Sequence, residues 1–460
     1  MGFNRGNLFS NAGMICKYLF IALFLCGNVN VYGQDAAITN SNQYLTLEDC
    51  IDYAFKHQPA LNQSLLNVSI AKTTNAIALS GWLPQVNASG SLTHYFELPT
   101  VFEPNVANPG GPPIQVHTGI YNTATPQVNA TQTIFNPGLI YAAKSAPLYV
   151  KEAKQATDSA KISVVSSVSK SFLSLLLTLE QIEVLKADTA ELRRSVTDAY
   201  HQYVGGIVDE TDYEEATITL NNTMTQLKQA IENVAPQYAV LKQTMGYPPE
   251  RQFNVSYDTA EMIRDINIDT AEELQYEKRI ELQQLYTAKK LQQQLINYYR
   301  FSFLPNIYGF YNYTYEFENN NFSNLFSNGF PYSSIGLSLS IPIFTGFARL
   351  ENIHKAKLQE QQLDWSEVNL KSEIYTQYTT ALANYKSNLY SFHIMQDNVN
   401  MAKRVYYVVG LQYKQGVVPY LNVITAQANL ITSETGYVNA LFQTLSSKID
   451  FEKAMGDIPY

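Results

Sequence analysis

Two hydrophobic periods alternate along this chain. Between 334 and 344, Ile335, Leu337, Leu339, Ile341 and Ile343 alternate with small or polar residues, the two-residue period of a strand wetted on one face. After Thr345-Gly346 the period lengthens. Tyr375, Tyr378, Leu382, Tyr385, Leu389 and Phe392 recur at spacings of three and four, and the pattern resumes at Val399, Ala402, Tyr406, Val409 and Tyr413. This is the seam of a helix packed along its length. An unbroken helix over 347–413 is about 100 Å long at ~1.5 Å per residue, more than a globular domain uses.

The same sequence of patterns occurs earlier. Thr46 is suited to cap a helix carrying Leu47, Ile51, Ala54 and Phe55, and a second helix is expected from Pro59 to Gly81. Trp82-Leu83-Pro84 opens an alternating run in which Val86, Ala88, Gly90 and Leu92 face away from Gln85, Asn87, Ser89 and Ser91. The Pro/Gly-rich stretch between Leu98 and Asn122 is predicted to be a loop. A second run over 127–135 sets Val128, Ala130 and Ile134 opposite Gln127, Asn129, Thr131 and Thr133, completing a hairpin over about 83–135. Helical spacing then holds to about Val204, with Pro147 either kinking the helix or lying in its first turn. Its seam is Val168, Phe172, Leu175, Leu179 and Ile182. After Gly205-Gly206 the chain returns through Leu220, Met224, Leu227, Ile231, Val234, Tyr238, Leu241 and Met245, so 138–245 forms an antiparallel helical hairpin. An acidic, irregular linker to 269 follows.

From 270 the first half repeats. Phe303-Leu304-Pro305 matches Trp82-Leu83-Pro84, Ile343-Phe344-Thr345-Gly346 matches Ile134-Phe135-Asn136-Pro137-Gly138, and Gly416 matches Gly206, 210 residues earlier. The chain therefore divides into two copies of one unit, 34–269 and 270–460, each a helix, a β-hairpin and a long helical hairpin. The second copy places its β-hairpin at about 305–344 and its helical hairpin at about 347–456. A period this long excludes a solenoid.

Composition adds three constraints. Only 15% of the 460 residues are charged and the net charge is −9, which excludes a nucleic-acid surface. The 33 tyrosines and 22 phenylalanines are unusual, and Tyr308, Tyr311, Tyr313 and Tyr315 in one strand suit an interfacial aromatic girdle. Arg5 and Lys17 precede a short apolar run over 18–26, and Gly33 supplies a small residue for cleavage, so 1–33 is expected to be a secretory signal peptide. The alternative is a lipoprotein signal acylated at Cys26. Cleavage after Gly33 removes Cys16 and Cys26, leaving Cys50 without an intrachain disulfide partner.

No later stretch is continuously apolar for 18 residues, so any membrane crossing falls to the strands. Four strands cannot close a barrel, and an open edge in lipid leaves amides unsatisfied at several kcal/mol each. Several chains must then pool their strands, with Gln85, Asn87, Ser89, Ser334, Ser338 and Ser340 lining the lumen.

Taken together, the duplicated layout, the two strand openings, the two strand exits and the paired turns around Gly205-Gly206 and Gly416 resemble the TolC family of outer-membrane efflux proteins, over nearly all of the chain after residue 33. The resemblance implies a mainly α fold with membrane β: a homotrimer whose twelve strands close one β-barrel in the outer membrane of a Gram-negative bacterium. A coiled-coil α-helical barrel continues that barrel into the periplasm. It further implies docking of a periplasmic adaptor (membrane fusion) protein and, through it, an inner-membrane pump of the RND type, or a type I secretion system using the same duct. Lipid of the outer membrane is the remaining partner, and no cofactor is called for.

The two turns form the periplasmic tip in this architecture. The resemblance implies an aperture ringed by two carboxylates from the second turn, but the matching positions are Asn422 and Thr425. The first turn instead carries Asp209, Glu210, Asp212, Glu214 and Glu215, and Asp212 matches Asn422. Asp209 and Asp212 are therefore candidates to replace the ring and attract cations. As an alternative they stabilise the positive end of the returning helix, at about 0.3–1 kcal/mol each. Gly205, Gly206, Gly416 and Val417 are the candidate adaptor contacts.

Catalysis finds no support. His57, His94, His117, His201, His354 and His393 lack metal-ligand spacing, and there is no phosphate loop or nucleophile elbow. The competing reading, a periplasm-spanning structural protein without a through-pore, has no use for the polar strand face.

Overall fold

The computed structural model describes residues 44–107, 109–264 and 266–460; the signal expected over 1–33, with Cys16 and Cys26, lies outside them. Two short helices open the described chain, α1 (Leu47–His57) and α2 (Pro59–Leu79). Thr46 caps α1 through a reciprocal pair with Asp49: the Thr46 hydroxyl oxygen accepts from the Asp49 N–H, and the Asp49 carboxylate accepts from the Thr46 N–H at 3.0 Å. Pro59 sits in the first turn of α2, where its missing N–H costs nothing.

Four strands form an antiparallel sheet in the order β2 (Gln85–His94), β5 (Asn122–Phe135), β7 (Asn306–Asn319) and β8 (Gly329–Ser340). Its two edges, β2 and β8, are unpaired within the chain. The segment expected to be wholly loop holds a small antiparallel ribbon, β3 (Thr100–Glu103) and β4 (Ile114–His117). Strands of four residues are too short to display a period in sequence. β8 begins earlier and ends sooner than the expected 334–344, stopping at Ser340 ahead of Pro342, which has no N–H for the ladder.

Two helical hairpins dominate the chain. α3 (Pro137–Val204) has 68 residues and turns into α4 (Glu210–Met245); α7 (Ala348–Lys414) has 67 and turns into α8 (Tyr420–Met455). At ~1.5 Å per residue α3 and α7 are each about 100 Å long. Pro137 takes the first helical position, and Pro147 and Pro236 both lie inside helices.

α4 and α8 are little more than half as long as the helices they return along. Separate helices cover the remainder: α1 and α2 pack on α3, and α6 (Ile280–Phe301) packs on both α3 and α7. The joints are built alike. α4 ends at Gly246 (φ 68°), whose Cα abuts the carbonyl of His57 between α1 and α2. α8 ends at Gly456 (φ 81°), which abuts Lys278 just before α6. Both glycines are left-handed caps, a conformation glycine adopts without steric cost.

The main core joins α1, α3, α4, α7 and α8 around Val168, Phe172, Leu175, Leu176, Leu241 and Met245. A fully buried side chain such as Phe172 stabilises by about 1.5–3 kcal/mol through burial. The expected seam of α7 is buried or half-buried from Tyr378 to Tyr413 and departs only at its first position, where Ile374 is fully buried and Tyr375 is 55% exposed. The linker between the copies is more ordered than its composition suggests. It contributes β6 (Asn254–Val255), paired parallel with β1 (Tyr44–Leu45), and the short α5 (Thr259–Arg264). Tyr385 pins it to α7: its hydroxyl donates to Ile266 O at 2.8 Å and accepts from Ile268 N–H at 3.2 Å. Among the described residues only α3 has an 18-residue window apolar enough to cross a bilayer, and 61% of that window is buried, as in a core helix.

Candidate channel wall and tip turns

The pleat sorts side chains between the two faces of the four-stranded sheet, and the register keeps the sorting aligned across it. Asn87, Asn129, Asn312 and Ser334 stand opposite one another in one row. Neighbouring rows on that face hold Ser89 with Gln127, joined by a 3.0 Å hydrogen bond from the Gln127 amide, and Ser91 with Thr125, joined hydroxyl to hydroxyl. Ser338 and Ser340 continue this polar face. On the opposite face Val86, Ala130, Tyr311 and Ile335 form a row, followed along β8 by Leu337 and Leu339. These side chains are exposed, Ile335 by 83% and Leu337 by 75%. One face of the sheet thus suits water and the other lipid. The tyrosines of β7 are spread accordingly, with Tyr311, Tyr313 and Tyr315 along the apolar face and Tyr308 on the polar one.

At the far end of the hairpins the two turns share one backbone design. In the first, Gly206 N–H donates to Tyr203 O and Ile207 N–H to Gln202 O, both at 2.9 Å; in the second, Gly416 N–H donates to Tyr413 O and Val417 N–H to Gln412 O, again at 2.9 Å. Paired bonds of this kind require a left-handed residue between them, and Gly206 (φ 71°) and Gly416 (φ 73°) supply it. A side chain added at either glycine would meet open space, so only backbone strain opposes substitution. Ile207 and Val417, the residues just beyond, are largely exposed.

Asp209 occupies the N-cap of α4, yet its side chain makes no capping hydrogen bond. Gly205 precedes it in a right-handed conformation as the last cap of α3. Asp209 and Asp212 line a cleft of 590 Å³ between the turns, together with Lys414, Gly416, Tyr413 and Tyr420. Among the described residues neither carboxylate is ion-paired. Asn422 and Thr425 lie elsewhere, exposed on α8, and the Thr425 hydroxyl donates to Leu421 O of its own helix at 2.9 Å.

Of the tyrosines around this cleft, Tyr413 was legible in sequence as a seam position and Tyr420 was not. Tyr420 donates to Ser195 O at 2.6 Å and Tyr413 donates to Gln202 Oε1, so both bind the second turn to α3. Burial pushes the Tyr413 hydroxyl above its ordinary value, and the Asp212 and Asp198 carboxylates add to the shift. Ala199, Ala216, Val423 and Ile424 pack beneath with Tyr420.

A two-faced membrane sheet joined to paired helices about 100 Å long defines the class: an envelope protein with a β wall and an α-helical extension. The family model for outer membrane efflux proteins matches residues 50–247 and 275–457, one segment in each copy of the duplicated unit, and the chain belongs to that family. It is an outer-membrane efflux channel. Solved structures with the same fold include the outer membrane protein VceC of Vibrio cholerae, 16% identical, covering 89% of this chain and 96% of that one, with a TM-score of 0.69. The outer membrane channel CmeC of Campylobacter jejuni is 18% identical, covers 89% and 85%, and has a TM-score of 0.70. The outer membrane channel MtrE of Neisseria gonorrhoeae, in its open state, is 17% identical, covers 89% and 88%, and has a TM-score of 0.68. No curated protein matches the chain by sequence.

Proposed function

We propose that three copies of this chain pool their sheets into one twelve-stranded barrel and act as the passive exit duct of a tripartite efflux or type I secretion system. The observation that carries this reading is the four-stranded sheet, with its apolar face exposed, rows of Asn, Ser, Gln and Thr across the other face, and both edges unpaired within the chain. In lipid each unpaired edge amide costs several kcal/mol, and edge-to-edge closure removes that cost. Substrate then passes along the polar rows without meeting a binding pocket, and selection falls to the inner-membrane pump.

The turns at Gly205, Gly206, Gly416 and Val417 are the proposed contact with a periplasmic adaptor, since they are exposed and shaped alike in both repeats. Asp209 and Asp212 form the proposed acidic element of the closed aperture. Asp209 makes no capping hydrogen bond and, among the described residues, neither carboxylate is ion-paired, so both remain available to cations in the cleft. Asn422 and Thr425, exposed on α8 outside that cleft, add no charge to it. Planar-bilayer reversal potentials of wild type and Asp212→Asn test the aperture. A lower cation preference in the variant supports it; an unchanged preference and unchanged block by multivalent cations return Asp209 and Asp212 to the helix end.

A further inference from the structure

Four helix ends adjoin the sheet, and their charge is opposite to that of the chain. α2 and α6 reach the sheet through 72–83 and 291–303, while α3 and α7 leave it through 137–148 and 347–358. These segments carry Lys72, Lys144, Arg300, Arg349, Lys355 and Lys357 against the single carboxylate of Glu351, in a chain with 31 basic and 40 acidic residues. Among the described residues none of these six cations is ion-paired.

Two of them are held in a particular way. The Lys144 ammonium lies over the Phe301 ring at 5.7 Å and the Arg349 guanidinium over the Phe303 ring at 5.6 Å, with the two rings 41% and 44% exposed. Arg349 also donates to Pro342 O at 3.3 Å, which fixes it where β8 gives way to α7. The apolar face of the sheet continues to this level through Ile341, Ile343, Phe344 and Phe347, Ile343 being 97% exposed. Cations resting on half-exposed aromatic rings at the end of an apolar band match the arrangement of side chains reaching from the acyl region to lipid headgroups.

We propose that this collar is a binding site for anionic phospholipid in the periplasmic leaflet of the outer membrane. The acyl chains lie along Ile343, Phe344 and Phe347, and the phosphates meet Lys144 and Arg349, which have no carboxylate to satisfy them. Arg349 suits this role because its planar guanidinium can give a phosphate two parallel hydrogen bonds. The inference rests on the outer-membrane position of the sheet and is independent of pump, adaptor and aperture.

Native mass spectrometry of the full-length oligomer, titrated in detergent with phosphatidylglycerol or phosphatidylcholine, tests it. Wild type should bind phosphatidylglycerol in preference. Lys144→Gln with Arg349→Gln should lower that affinity roughly 30-fold and leave phosphatidylcholine unchanged. Lys386→Gln with Arg404→Gln, an equal loss of charge on α7 away from the sheet, should have no effect. If the double glutamine variant fails to assemble, Lys144→Gln alone should lower the phosphatidylglycerol affinity about fivefold, and no loss overturns the proposal. Equal binding of the two lipids by wild type overturns the proposal, as does an equal loss in the distant pair or no loss in the collar pair. The same protein conducting normally in bilayers without any phosphatidylglycerol preference would remove the lipid site and leave the channel standing.

Discussion

Asp188 gives the helical hairpins a measurable dependence on pH. It lies on α3 with its Oδ2 enclosed and without a hydrogen-bond partner. Glu434 of α8 faces it, and the nearest cation, Lys403 of α7, is engaged by Glu434 at 3.1 Å; Tyr406 of α7 and Glu191 of α3 stand close by. Burial, and then Glu434, push the Asp188 carboxyl up to about 7 against the pull of Lys403. The folded chain therefore keeps a proton that the unfolded chain releases near pH 4, and stability is lost as pH rises from about 4 to about 7. At 1.36 kcal/mol per unit the full difference sets a ceiling of about 4 kcal/mol, and partial access to solvent reduces it to about 2 kcal/mol. Asp188→Asn removes the titration while keeping the shape. Heating the detergent-solubilised protein at pH 5, 6.5 and 8 should lower the wild-type midpoint by about 2 to 4 °C across the range, while the variant falls less and is the more stable of the two at pH 8. A variant that follows the wild-type slope, or is less stable at pH 8, refutes the reasoning.

Three further substitutions probe the joints and the tip. A methyl group at Gly246 would sit 2.6 Å from His57 O in a left-handed conformation, so Gly246→Ala should cost about 3 kcal/mol and reduce the yield of heat-resistant oligomer; wild-type yield contradicts this. Tyr385→Phe leaves Ile266 O and Ile268 N–H without their buried partner, and should lower the midpoint of chemical unfolding by an amount equivalent to about 1–3 kcal/mol. Gly416→Leu meets no steric obstacle and bears only a strain of about 1–2 kcal/mol, so the oligomer should assemble while export fails; normal export would remove the turn from the adaptor contact.

Much of this architecture is legible in the sequence because long elements repeat their period many times. Val168, Phe172, Leu175 and Ile182 announce the buried stripe of α3, and Ile335, Leu337 and Leu339 the lipid face of β8. What escaped was either short or set by partners distant in sequence. The β3–β4 ribbon is hidden in a Pro/Gly-rich stretch. At the tip, the glycines announce the turns through the left-handed backbone they permit. The bond from Tyr420 to Ser195 O could not be foreseen, because its acceptor is a backbone carbonyl 225 residues away that carries no sequence signal.

The most direct test of the channel itself is single-channel conductance of the purified wild-type protein in a planar bilayer, with its oligomeric mass measured in the same preparation. The account predicts a trimer with discrete, ohmic conductance steps, because three four-stranded sheets must close around their polar faces. A folded monomer that inserts and conducts nothing would contradict it.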